Sequence, residues 1–180
     1  MSWNRIARRI RVPLGFALAV VYLWLARPTL WSIFTGLVVS AVGLGFRAYA
    51  SGYVRKNEEL ATTGPYAYTR NPLYLGSIII AAGFALAARS WIIALILLLM
   101  FLAIYLPVIR GEEEFLRQRF PEFAEYERRV PRLLPRFSNP KNAAGSFSWN
   151  LYRQHREYNA LAGTLAIVAV LAAKLWWLSR

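Results

Sequence analysis

Two groups of residues in this 180-residue chain are of types that do chemistry. The first is Gly64-Pro65-Tyr66-Ala67-Tyr68-Thr69-Arg70-Asn71-Pro72-Leu73-Tyr74-Leu75-Gly76, in which tyrosines, an arginine and an asparagine are punctuated by proline and glycine. The second is the block Glu112-Glu113-Glu114, preceded by Arg110. Pro65 and Pro72 each bias the residue before them away from helical backbone, and Pro72 can open a following helix. The first stretch therefore reads as a rigid, hydrogen-bonding loop at the mouth of a helix. Carboxylates can accept from hydroxyls or face a positive charge, and tyrosine rings can stack on an aromatic ring or a cation. Such groups suit a ligand with a ribose diol, an adenine ring and a sulfonium.

Other chemistries are poorly supplied. His155 is the only histidine and there is no cysteine. A histidine or thiolate metal site, a Ser-His-Asp triad and a disulfide therefore have no basis, and no metal is expected. There is no phosphate loop of the GxxxxGK type, and Gly43-Leu44-Gly45 lacks the third glycine and preceding strand of a dinucleotide fingerprint. Core packing is its reading.

The elements that must position these groups are apolar. Hydrophobic residues make up 57% of the chain, yet its formal net charge is +13. A membrane protein reconciles the two by facing lipid with its apolar part and gathering charge at the ends. Seven Trp and ten Tyr suit the aromatic belts at headgroup level. The arginines are spread between apolar runs rather than gathered on one face, so no nucleic acid partner is expected. Apolar runs at 12–26, 30–50, 73–88, 91–109 and 161–178 predict an all-α membrane protein, a bundle of about five transmembrane helices. The first run is short for a bilayer. Gly36, Gly43 and Gly45 are expected at close helix contacts. Pro107 is expected to kink the fourth span near its end. Residues 112–136 predict an amphipathic helix along the membrane face and then an extended stretch, and 147–159 an interfacial segment.

Charge tests this topology. With the N-terminus inside, only Arg27, Arg89, Lys174 and Arg180 fall on the outer side. All nine acidic residues are glutamates, and all fall on the inner side with the loop. That face carries the expected site. The chain reads as one integral membrane domain, residues 1–180, in a bacterial inner (plasma) membrane with a cytoplasmic N-terminus.

The loop resembles the signature G-x-Y-x-Y/W-x-R-H-P-x-Y-x-G of the isoprenylcysteine carboxyl methyltransferase and phospholipid methyltransferase superfamily. Glu112-Glu113-Glu114-Phe115-Leu116-Arg117-Gln118-Arg119-Phe120 resembles its second block, E-E-x-x-L-x-x-x-F. The resemblance covers about residues 51–135, and the chain continues into a further segment and span at 147–178. It implies an integral membrane methyltransferase with a cytosolic pocket for S-adenosylmethionine. By motif position it implies cofactor contacts from Glu59, Leu60, Ala61, Tyr66, Arg70, Asn71, Pro72, Leu73, Tyr74 and Glu112, with Arg110 near the acceptor and Glu113 as a catalytic carboxylate. Arg70 could equally bind a headgroup phosphate or cap a helix, and Glu113 and Glu114 could be solvated or paired with Arg117 and Arg119. Asn71 stands where the family has His, keeping a hydrogen-bonding side chain that can neither carry charge nor act as acid or base. The implied acceptor is a lipid or lipophilic small molecule, a prenylcysteine-like carboxylate or a lipid amine, beside membrane lipids. A non-catalytic lipid-binding or scaffold relative is the alternative.

Overall fold

A computed structural model describes residues 3–55, 58–137 and 144–180, with side chains from residue 13 onward. Its helices are α1 (Trp3–Leu25), α2 (Leu30–Ser51), α3 (Pro72–Ala88), α4 (Trp91–Arg119), α5 (Phe123–Arg129), α6 (Trp149–Gln154) and α7 (Tyr158–Leu178). There is no strand among the described residues. α2, α4 and α7 are long and apolar enough to cross a membrane, and Pro13–Leu25 of α1 and all of α3 are shorter apolar helices. The all-α membrane fold is thus the one the apolar runs imply.

One boundary is corrected. The fourth span does not stop at residue 109 before a separate charged helix, because α4 runs unbroken through the glutamate block to Arg119. Glu, Leu, Arg and Gln are strong helix formers, so nothing in 112–119 obliges the backbone to stop. Pro107 lacks an N–H, and its ring crowds the carbonyl four residues back; the turn just before it, Phe101–Tyr105, is widened to a π-helix. The helix ends where Pro121 disfavours helical backbone at Phe120.

The chain divides into two compact units, Met1–Ser40 with Ala81–Glu113 and Thr164–Arg180, and Ala41–Ile80 with Glu114–Gly163. In the first, Tyr22, Ala26, Ala87, Ala88, Ile93 and Leu171 form the core. Polar groups in an apolar surrounding must be satisfied internally. Tyr22 donates its hydroxyl to Phe84 O at 2.9 Å, and Ser32 donates to Ala87 O at 3.0 Å. α1 has no basic residue in its last turn, and Lys174 of α7 supplies the cation. Its Nζ donates to the carbonyls of Leu23 (2.6 Å), Trp24 (3.2 Å) and Ala26 (2.7 Å), satisfying orphan acceptors at the negative end of the helix dipole. Trp24, Trp31, Trp91, Trp176 and Trp177 are all exposed at this end of the unit, as a headgroup belt requires.

α2 and α3 approach through glycines. A Cβ on Gly36 would meet Gly83 O at 2.5 Å and Ala87 N at 2.9 Å. In the second unit, a Cβ on Gly43 would meet Gly76 O at 2.7 Å and Ile80 N at 2.8 Å. Gly45, expected at such a contact, has nothing within 4 Å of its Cβ position and is not one. Gly36→Ala should therefore push backbone against backbone and cost about 1–3 kcal/mol, read as a lowered thermal midpoint in detergent. Gly45→Ala should leave the midpoint unchanged or raise it, by at most about 1 kcal/mol of helix propensity.

Candidate functional site

The signature loop lies in the second unit. It opens at Gly64, whose φ of +56° is left-handed and whose Cβ position lies 2.5 Å from the Tyr53 ring, so both backbone and space demand glycine. Gly64–Ala67 is a single tight turn in which every residue is buried. The loop's polar backbone must then find partners beyond itself. They come from α5 and from the strap at 130–137. Arg70 N donates to Pro131 O at 2.9 Å, and Arg136 N donates to Tyr68 O at 3.0 Å. Thr69 Oγ1 (3.2 Å) and Asn71 Nδ2 (3.1 Å) both donate to Arg132 O. Tyr126 of α5 donates its hydroxyl to Tyr66 O at 2.7 Å.

Charge tightens the same region. Arg70, with only 8% of its side chain exposed, pairs with Glu127 at 3.0 Å. Glu127 also receives Arg117 at 2.9 Å, and Arg117 in turn pairs with Glu114. Both guanidiniums lie over the buried Phe123 ring, at 5.9 and 5.8 Å from its centroid. The hydrogen bonds from Arg117, and then those from Arg70, hold the Glu127 carboxyl below its ordinary range against the opposing effect of burial.

The residues singled out by the motif fall as follows. Glu59 is exposed beside Arg55 (3.7 Å), Leu60 and Ala61 are half-buried, Tyr66, Asn71 and Pro72 are buried, and Leu73 and Tyr74 are half-buried. These and Arg70 all belong to the second unit, whereas Arg110, Glu112 and Glu113 belong to the first. Arg110 and Glu112 are exposed. Glu113 is 2% exposed, so the solvated alternative does not hold for it, while Glu114 pairs with Arg117 as its i, i+3 spacing allows.

Sequence reasoning missed the tie beneath the loop. Arg47 of α2 grips Glu157 through Nε and Nη2, both at 2.9 Å, and donates from Nη1 to Ser77 Oγ at 2.5 Å and Leu73 O at 3.3 Å. A Cβ on Gly76 would sit 2.5 Å from Arg47 Cγ, which explains the glycine that closes the signature. The signal was an arginine within an apolar run, which needs a partner. His155 ties back through Nε2 to Val54 O at 2.9 Å, a structural contact.

The loop, the start of the glutamate block and the apolar helices before them all lie within residues 10–122, which match the phospholipid methyltransferase family. The chain belongs to that family. Among curated relatives it is 38% identical to the nickel-cobalt-cadmium resistance protein NccN of Alcaligenes xylosoxydans xylosoxydans, over 71% of this chain and 62% of the relative. It is 39% identical to the cobalt-zinc-cadmium resistance protein CzcN of Cupriavidus metallidurans, over 65% of this chain and 52% of the relative. The matched part of this chain thus spans less than two thirds of either relative's length. No solved structure matches. Among the described residues no three His, Cys, Asp or Glu side chains gather in a group that could hold a metal ion.

Two predictions follow from the clasp between loop and strap. Glu127 has a depressed carboxyl pKa in the folded chain, so its stabilisation is complete above the unfolded value of about 4.3 and is lost as pH falls through the folded one. The gap in thermal midpoint between wild type and Glu127→Gln should be constant above about pH 5 and close below about pH 4; a gap independent of pH contradicts the pairing. Asn71→Ala should cost about 1 kcal/mol through the lost bond to Arg132 O and hasten amide exchange at residues 68–71, whereas Asn71→His, which keeps a donor, should restore protection.

Proposed function

We propose that this chain transfers a methyl group from S-adenosylmethionine to a lipophilic or membrane-embedded acceptor, a prenylcysteine-like carboxylate or a lipid amine, at the cytosolic face of the membrane. Family membership supports methyl transfer. The observation that carries the reading to this chain is the Asn71 side chain, which donates to Arg132 O at 3.1 Å and so holds the signature loop against the strap. That task needs a donor and no titration, so replacing the family His leaves the loop's architecture intact.

The groups present suit this cofactor. In the second unit Glu59 is an exposed carboxylate able to accept from ribose hydroxyls or face a positive charge, and the half-buried Tyr74 offers an aromatic face; Glu112, an exposed carboxylate of the first unit, is assigned to the cofactor by the motif alone. Tyr66, Asn71, Pro72, Leu73, Leu60 and Ala61 would form its walls, with Arg70 fixing the loop from behind through Glu127. When bound, the cofactor supplies a methyl already activated on a sulfonium. The protein's own share is to align donor and nucleophile and to exclude water. Arg110 would orient an anionic acceptor, and the buried Glu113, at i+3 on the same helix, would be the carboxylate to assist it. The enzyme would sit in a bacterial inner membrane, N-terminus inside.

Calorimetry on the detergent-purified protein tests the reading. S-adenosylmethionine and S-adenosylhomocysteine should bind with affinity on the order of micromolar, and Tyr74→Ala and Glu112→Ala should each weaken binding at least about tenfold. Arg110→Ala should spare cofactor binding and lower turnover once an acceptor is found. A folded sample that binds neither ligand favours the non-catalytic lipid-binding or scaffold protein instead.

A further inference from the structure

The strap that holds the loop has an outer side the methyltransferase reading does not use. From Arg128 to Phe137 the sequence is Arg-Arg-Val-Pro-Arg-Leu-Leu-Pro-Arg-Phe, with four arginines and no acid. Its backbone is spent inward, through the carbonyls of Pro131 and Arg132 and the amide of Arg136. Outward stand Leu134 and Phe137, 80% and 81% exposed, among the exposed Arg128, Arg129 and Arg136. Of these, Arg129 shares its charge with Glu125 at 3.5 Å. Phe137 keeps one ring contact, to Tyr68 at 5.8 Å.

Two large apolar side chains held out among arginines, in a segment with no acidic residue, are costly in water and favourable at one kind of surface. Anionic headgroups neutralise the guanidiniums while the acyl boundary takes the leucine and phenylalanine. The tether keeps the strap close to such a surface: Arg119 ends the membrane-length helix α4, and only nine further residues, most of them in α5, reach Arg128. We propose that the strap, together with the arginines that end α5, docks on anionic lipid, with Leu134 and Phe137 entering the acyl boundary and Arg128 and Arg136 meeting headgroup phosphates. Because the strap's inner edge is bonded to residues 68–71, bilayer composition then bears on the order of the signature loop. The proposal stands without the methyltransferase reading.

The chain has no cysteine, so Leu134→Cys can carry a unique environment-sensitive fluorophore. The labelled full chain is placed in nanodiscs of phosphatidylcholine alone or mixed with phosphatidylglycerol, with helix content checked by circular dichroism. Phosphatidylglycerol should shift emission to the blue and raise it, and added salt should reverse the change. Combining the label with Arg128→Gln and Arg136→Gln should raise the phosphatidylglycerol fraction needed about tenfold. Identical, water-exposed emission in both bilayers overturns the proposal. So does a response to soluble glycerol phosphate in pure phosphatidylcholine, which marks a free-anion site. Emission already buried and indifferent to lipid charge also overturns it, since the strap is then covered by protein.

Discussion

A loop that two prolines keep from becoming a continuous helix pairs only part of its polar backbone within itself, through Pro65 O, which accepts from Tyr68 N and Thr69 N. The remaining demand is met by the strap at 130–137 and by Tyr126, which between them take up Tyr66 O, Tyr68 O and Arg70 N. The arrangement converges on one acceptor, Arg132 O, which receives both Thr69 and Asn71. Buried hydrogen bonds of this kind contribute modestly when made and cost more when a partner is removed. The loop's conformation is therefore a property of residues sixty positions downstream as much as of its own sequence.

The ion pairs serve the same end by different means. Arg70 and Arg117 share Glu127 of α5 and lie over Phe123, so the paired charges are held against a buried ring. Arg47 and Glu157 join α2 to the start of α7, with Arg47 also reaching Leu73 O at the mouth of α3. Lys174 closes the C-terminus of α1 with three carbonyls. Arg70, Arg47 and Lys174 each place a charge where an apolar surrounding would otherwise penalise it, and each is held by bonds to acceptors that would themselves be orphaned. Removing one partner would strand the other, so these are ties rather than ornaments of the surface.

Family membership and local geometry meet at Asn71. The family pattern has a histidine there, and a titrating role would be lost with it. In this chain the amide does a donor's work toward a backbone carbonyl. That is a reason to look for the chemistry in alignment and desolvation, which a sulfonium donor mainly requires, rather than in proton transfer.

The amino-acid sequence alone determined the helical membrane class, the five apolar runs and the bounds of α2 and α3 to within a residue, the motif loop opened by a glycine and followed by a proline-started helix, and the family. These are local or periodic properties: hydropathy over a bilayer's length, proline's fixed φ, glycine's freedom. It misjudged where α4 ends, because helix propensity in 112–119 outweighed the change from apolar to charged, and it gave Gly45 a contact that belongs to Gly36 and Gly43. Only the tertiary structure decided that Arg70 is committed to Glu127, that Asn71 holds Arg132, that Arg47 grips Glu157 and that Glu113 is buried. Those partners lie between 57 and 110 residues apart for the three named pairs, and no periodicity in one chain specifies which distant group satisfies a buried charge or donor.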